Sequence, residues 1–159
     1  MQQPYNPYYG QPGDGPAPGV RWGSRFGRLI AYWVDGFILA LVLGLFFGIA
    51  GGVTAVAAQG DSSPLAIVSL VLMVVGLVVG IAWKPWFWTH GGQTPGYKLL
   101  GLKVVRQADG GPITGGQAVG RLLSYIVSAI FYLGFIWILF DAKRQGWHDK
   151  LANTVVIAA

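Results

Sequence analysis

The feature that most constrains this chain is the apolar run Leu29–Ala50, with Arg28 at its foot and Asp35 about a third of the way along it. At about 1.5 Å of helical rise per residue, the run is long enough to cross the ~30 Å hydrocarbon core of a bilayer. A carboxylate inside such a span costs about 2.5–3.5 kcal/mol on insertion scales. Asp35 therefore demands a partner, a wet cavity or a proton, and the rest of the chain has to supply one of them.

Composition agrees that the solvent is lipid. Only 11% of the 159 residues are charged and mean hydropathy is +0.53, whereas soluble domains carry about 25% charged residues. The length fits one domain. The net charge of +5 comes from eleven Lys and Arg that flank apolar runs and form no basic stripe. That is the pattern of cations retained on the cytoplasmic side of a membrane, and it argues against nucleic acid as a partner. With no cysteine and two histidines, the chain offers no disulfide framework, no thiolate and no zinc spacing. No metal or cofactor is expected.

Residues 1–20, rich in Pro, Gly, Tyr and Gln, have no apolar periodicity and read as a disordered tail ahead of a membrane domain over 21–157. The tail lacks the basic start of a signal peptide, and the apolar run comes too late and extends too far for one. Leu29–Ala50 carries small residues at every fourth position, Gly36, Ala40, Gly44, Gly48 and then Gly52. Spacing by four keeps them on one helix face, where two backbones can approach closely. The linker Gly51–Ser63 holds Asp61 and no basic residue. The second apolar run, Leu65–Trp83, has its own pair, Gly76 and Gly80. An antiparallel hairpin sets that pair at the depth of Gly36 and Ala40, so close packing of the two ladders is expected, with self-association through the same face as the rival.

Trp83, Trp86 and Trp88 with Lys84 mark the return to the interface. A polar segment follows. In it Leu102–Arg106 reads as a strand, and the turn-rich Asp109–Pro112 predicts a short hairpin to Ile113-Thr114. Thr154–Ile157 is a further β-branched stretch. Between them lies a third apolar segment, Leu122–Phe140, whose 19 residues favour a span. Charge points the other way. Arg21, Arg25 and Arg28 precede the first run, five basic residues lie between Lys84 and Arg121, and Lys143, Arg144 and Lys150 follow the third segment. The N-terminus and second loop are thus expected in the cytoplasm of a multi-pass cell-membrane protein. A third span would export the last three cations, whereas a re-entrant hairpin turning near Gly134 keeps all eleven inside. The expected fold is an all-α bundle of about three membrane helices over 29–50, 65–83 and 122–140, the third spanning or re-entrant, with a short cytoplasmic β element. Gly27–Val34, GRLIAYWV, is echoed by Gly120–Val127, GRLLSYIV, with Ser128 at the place of Asp35. In so apolar a setting the echo reads as coincidence.

Seven residues separate Arg28 from Asp35, about 10.5 Å along a helix, and side chains lean toward the helix N-terminus, so the two are poorly placed to pair. Arg121 is the first candidate partner for Asp35, ahead of Lys98, Arg144 and His148. For Arg28 the candidate acid is Asp149.

Arg28-x-x-Ala31-x-x-x-Asp35, then Gly92-Gln93-Thr94-Pro95-Gly96 and Leu100-Gly101-Leu102-Lys103-Val104-Val105, and finally Gln145-Gly146-Trp147-His148-Asp149-Lys150-Leu151-Ala152 resemble, in order over Arg21–Ile157, the RDD family of integral membrane proteins. That family is named for one arginine and two aspartates. The resemblance implies that Arg28 is the family arginine and Asp35 the first aspartate, with Asp149 or Asp141 the second. It departs at Asn153, where many members have glycine. It implies a bacterial membrane protein and leaves the molecular role mostly unassigned.

Gly91–Lys98, GGQTPGYK, has the outline of a phosphate loop, but Tyr97 parts glycine from lysine and no hydroxyl follows, so it reads as a turn. His148-Asp149 lacks a nucleophile in a recognisable setting, so no enzyme is expected. Two readings remain in front. One is a structural or accessory component of a membrane assembly, in contact with lipid and with other membrane proteins or copies of itself, built on Arg28, Asp35, Arg121, His148 and Asp149. The other is a small cation/proton exchanger that uses Asp35 as the titrating carboxylate.

Overall fold

A computed structural model describes residues 15–16, 19–60, 63–129 and 133–159. Most of the tail expected to be disordered, and Asp61 of the first linker, lie outside the described residues. The chain divides into two compact units, Asp35–Trp83 and the remainder, Met1–Val34 with Lys84–Ala159. All eleven basic residues belong to the second of these.

Two long helices supply the first unit, α1 (Arg25–Ala57) and α2 (Ser63–Thr89), both long and apolar enough to cross a membrane. Ser24 starts α1, its Oγ accepting from Gly27 N–H at 3.1 Å. The helix continues seven residues beyond the expected Ala50, because Gly51–Ala57 contains no proline and Thr54 Oγ1 donates back to Ala50 O at 2.9 Å. Pro85 lies inside α2, and Thr89 Oγ1 donates to its carbonyl at 2.9 Å. Large apolar side chains face outward: Trp33, Phe37, Leu41 and Leu45 repeat at helical spacing and are 60% exposed or more, as a lipid-facing stripe requires.

The matched glycine ladders do not meet. A Cβ built at Gly76 would lie 3.1 Å from Phe46 Cβ, and one at Gly80 3.4 Å from Leu43 Cδ1, whereas Gly36, Gly44 and Gly48 have no atom within 4 Å of theirs. A spacing of four drifts around a helix of 3.6 residues per turn. The α1 face set against α2 is instead Leu43, Phe46, Ala50 and Thr54, steps of three and four. It is fastened by hydroxyls, with Thr54 and Ser69 bonded at 2.5 Å and Ser69 Oγ donating to Ala50 O at 3.0 Å.

In the other unit, α3 (Pro95–Leu99) begins at the cap Thr94. β1 (Leu102–Arg106) pairs antiparallel with β2 (Thr154–Ala158), from Leu102 opposite Ala158 to Arg106 opposite Thr154. The N-terminal segment adds to the other edge of β2: Trp22 bridges Ile157, and Gly23 N–H donates to Val156 O at 3.0 Å. The expected hairpin from Leu102–Arg106 to Ile113-Thr114 is corrected. After the turn at Asp109–Gly111 the chain sends Ile113 into the core and uses Thr114 to start α4 (Gly115–Ala129), Gln117 N–H donating to its Oγ1 at 3.2 Å. The glycine-rich GGQTPG is a turn, in which Gly92, at φ 76°, brings its carbonyl to Val104 N–H at 2.8 Å.

The third apolar segment is not one straight helix. α4 is bent by 112° from the piece that follows, α5 (Leu133–Ile136) with a 3-10 turn over Trp137–Leu139, the geometry of a broken span or a re-entrant loop. Its sequence explains why. Arg121, Ser124 and Ser128 are buried on one face of α4 while Val119, Leu123 and Ile126 are exposed on the other, so the helix is amphipathic where a lipid-embedded span would be apolar all round. The short α6 (Trp147–Leu151) leads into β2.

Candidate functional site

The second unit is built around a buried cluster of charge. Asp149 sits in the first turn of α6, where its Oδ2 accepts from Gly146 N–H at 2.9 Å. That bond fixes the carboxylate at the N-terminal end of the helix, where negative charge is favoured. Arg28 of α1 donates to Oδ2 and also to the carbonyl of Arg144. Arg121 of α4 approaches Oδ1 at 2.6 Å, an ionic contact whose angles fall outside those of a hydrogen bond, and donates to Thr154 Oγ1 at 3.0 Å. All three ionic side chains are 0% exposed. Burial alone would raise the Asp149 pKa; the charges of Arg121 and Arg28 outweigh it and hold the carboxyl below its ordinary value.

Beside this triad lies an aromatic shell centred on His148. Tyr125 stacks on the imidazole with centroids 4.5 Å apart, and Trp88 stacks on Tyr125 at 5.6 Å. Tyr32 Oη meets His148 Nε2 at 2.8 Å and accepts from Tyr97 Oη at 3.1 Å, while Ser128 Oγ lies 3.2 Å from Nδ1. The ammonium of Lys84 lies over Tyr125 at 4.6 Å and Tyr32 at 5.3 Å, and the Arg121 guanidinium over Trp88 at 4.9 Å. Burial, reinforced by Arg121, Arg28 and Lys84 and opposed by Asp149, lowers the His148 pKa to about 3. The imidazole is therefore neutral at physiological pH. Two glycines make room for the shell. A Cβ at Gly134 would sit 2.5 Å from Ser128 Cα, and one at Gly146 2.5 Å from His148 Cε1.

Of the residues singled out in the sequence, Arg28, Arg121, His148 and Asp149 come together here. The carboxylate beside Arg121 is that of Asp149. Asp35 belongs to the other unit; it is buried, 1% exposed, and engaged. Asp141 has a different setting, partly buried, paired with Lys150 and accepting from Lys143 and Gln145 N–H, each at 3.0 Å. Tyr32, Tyr97 and Tyr125 were not singled out as site residues, Trp88 was read as an interfacial aromatic and Ser128 as the counterpart of Asp35, although the echo carried two of the tyrosines. In GRLIAYWV and GRLLSYIV, Arg28 corresponds to Arg121 and Tyr32 to Tyr125. The two arginines bracket Asp149, the two tyrosines flank His148, and Ser128, at the place of Asp35, bonds the imidazole.

The sequence profile of the RDD family matches residues 23–153, nearly all of the described chain. The chain belongs to the RDD family. Among relatives, it is 32% identical over 143 residues to the uncharacterised protein YxaI of Bacillus subtilis, covering 82% of this chain and 93% of that protein. It is 36% identical over 101 residues to a proline-rich antigen homolog of Mycobacterium tuberculosis, covering 60% of this chain and 42% of the relative. An uncharacterised protein of Haemophilus influenzae is 27% identical over 139 residues, 84% of this chain and 76% of that one. This RDD protein thus spans less than half the length of the mycobacterial relative. No solved structure matches it.

Proposed function

We propose that this RDD protein is a non-catalytic structural or accessory component of a membrane assembly, and that the Arg28–Asp149–Arg121 triad is its architectural core. The observation that carries this reading is the pairing of one buried carboxylate with two buried guanidiniums. Arginine does not lose its proton in proteins, and Asp149 beside two arginines keeps its charge at any physiological pH. The triad is therefore a fixed clamp from α6 to the first two turns of α1 and α4, unsuited to exchanging protons. It leaves the adjoining polar face, with β1, β2 and the N-terminal segment, as a preformed surface for protein partners or a second copy.

We further propose two full spans. β1 lies in the second loop, β2 in the C-terminal segment and Trp22 ahead of α1, and strands that hydrogen-bond share one side of a membrane. A bent Gly115–Leu139 that re-enters keeps all eleven basic residues on that side, the cytoplasmic one by their charge. The chain contains no cysteine, so single Gln107→Cys, Lys143→Cys and Gly60→Cys variants report topology directly. An impermeant maleimide should label the first two from the same side and the third from the other; opposite labelling of the first two would refute the arrangement.

A second reading, a cation/proton exchanger with Asp35 as the titrating carboxylate, is favoured by the burial of Asp35 inside a candidate span. Proteoliposomes loaded with a pH dye and pulsed with Na⁺ or K⁺ separate the two. Cation-dependent proton movement in wild type that vanishes in Asp35→Asn would establish the exchanger and displace the architectural reading. No flux in either, with Asp35→Asn less stable, supports the accessory component.

A further inference from the structure

We infer that the cleft at the foot of α1 binds the phosphate of an anionic phospholipid headgroup. The cleft is open and has a volume of about 420 Å³, and Arg21, Arg25 and Arg144 line it together with Trp22, Ser24 and Phe26. No acidic side chain is among the described residues that line it. Three guanidiniums around one concavity suit a phosphodiester, because each presents a planar fork that matches two phosphate oxygens.

Two of the three are held in place before any ligand arrives. Arg25 donates to Asp141 O at 3.3 Å. Arg144 donates through one terminal nitrogen to Trp22 O at 3.3 Å and Gly23 O at 3.2 Å, while its carbonyl accepts from Arg28. Its backbone is in the left-handed region, φ 53°, a conformation that sends carbonyl and side chain to these separate partners. Prior ordering of this kind lowers the entropy lost on binding.

A second feature points to a lipid in preference to free phosphate. Arg25 opens α1 and the apolar run begins four residues later, so the cleft stands at headgroup level. Phe26 on its rim is 69% exposed, and Ile30 at 52% and Trp33 at 82% continue the same helix face toward the apolar run. Cationic cleft and apolar stripe together match the two ends of one phospholipid, a recognition that membrane-surface basic clusters use generally.

Native mass spectrometry of the full chain in neutral detergent, titrated with short-chain phosphatidylglycerol or phosphatidylcholine, tests this. Wild type should bind the anionic lipid roughly tenfold more tightly, a preference that Arg21→Gln with Arg25→Gln abolishes and Lys103→Gln with Lys143→Gln leaves intact. If the glutamine pair fails to fold, Arg21→Lys with Arg25→Lys keeps the charge and loses the forks, and should weaken the preference severalfold. Equal binding of the two lipids, or equal loss in the control pair, would overturn the proposal. So would binding of inorganic phosphate that phosphatidylglycerol does not displace, which would assign the cleft to a free anion.

Discussion

Asp149→Asn is the most informative substitution. Asparagine is nearly isosteric and can still accept from Gly146 N–H, so the α6 cap survives and only the charge is removed. Two guanidiniums, each 0% exposed, then face each other across a neutral amide. Breaking a buried ion pair in this way costs about 3–5 kcal/mol, and two stranded cations put the expectation at the upper end. For a chain of this size that corresponds to a fall in Tm of roughly 10–20 °C. The assay is thermal unfolding of the purified protein in detergent, followed by circular dichroism or by loss of monodispersity. Two companions isolate the cause. Arg28→Met alone leaves Asp149 paired with Arg121 and should cost about half as much. Arg28→Met, Arg121→Met and Asp149→Leu together remove every charge and should recover most of the loss, since apolar replacements of a whole buried cluster are often neutral or better. A melting temperature for Asp149→Asn within about 2 °C of wild type would refute the claim that the triad holds the unit together. A triple variant no better than the single one would trace the loss to shape and away from stranded charge.

Other expectations follow from the same geometry. His148 is held neutral with a pKa lowered to about 3, so as pH falls below its unfolded value near 6.5 the unfolded chain gains a proton that the folded one refuses. Stability should drop by up to about 1.4 kcal/mol per pH unit in that window. The depressed Asp149 carboxyl adds its own loss only below about pH 4, so melting scans of His148→Phe between these limits should lie flat; an unchanged slope would assign the acid sensitivity elsewhere. In the apolar unit, Gly76→Val must displace Phe46, whose Cβ lies 3.1 Å from the new Cβ, whereas Gly48→Val meets nothing within 4 Å. The first should cost about 1–3 kcal/mol and the second under about 0.5 kcal/mol; equal losses in melting would mean that the two helices meet on another face. Asn153 occupies the left-handed region at φ 52°, so Asn153→Gly should be tolerated within about 0.5 kcal/mol while Asn153→Val costs on the order of 1–3 kcal/mol, read by the same melts.

How much of this was legible in the sequence depends on which rule governed each residue. The two long helices were plain, because run length and polarity alone decide whether a segment can enter lipid. Arg28 and Asp149 were legible as a pair because a buried arginine needs an acid and Asp149 stands in the C-terminal motif. Gly76 and Gly80 do face α1, but the α1 ladder failed for a geometric reason. A stripe of small residues marks a face that permits close approach, but α2 packs where Leu43, Phe46, Ala50 and Thr54 recur in steps of three and four, and the hydroxyl of Ser69, the one polar side chain between Leu65 and Trp83, fastens it there. The hairpin failed because turn chemistry locates a reversal and not the strand that follows it. Thr114 serves α4 as a cap, and the partner of β1 is about fifty residues away, a pairing that no local signal encodes.

The aromatic shell was hidden because each of its members looks ordinary alone. A tyrosine in an apolar helix reads as an interfacial residue, and Tyr32 and Tyr125 acquire meaning only once Arg28 and Arg121 are seen to share one target. Four residues separate arginine from tyrosine in both helices, so each helix directs a cation and a hydroxyl from one face, a turn apart. α6 presents adjacent residues to that double grip, His148 to the tyrosines and Asp149 to the arginines. The parallel breaks at one point: where α1 carries Asp35, α4 carries Ser128, whose Oγ bonds the imidazole. Asp35 belongs to the other unit and not to the grip on α6, and it is buried and engaged there, so a hydroxyl cannot stand in for it as Ser128 does in α4. On the accessory reading Asp35→Ser, like Asp35→Asn, should lower Tm by more than about 3 °C. A Tm within that margin would mean that the carboxylate is not architectural, and that the two helices, alike in their first two turns, part in function at this position.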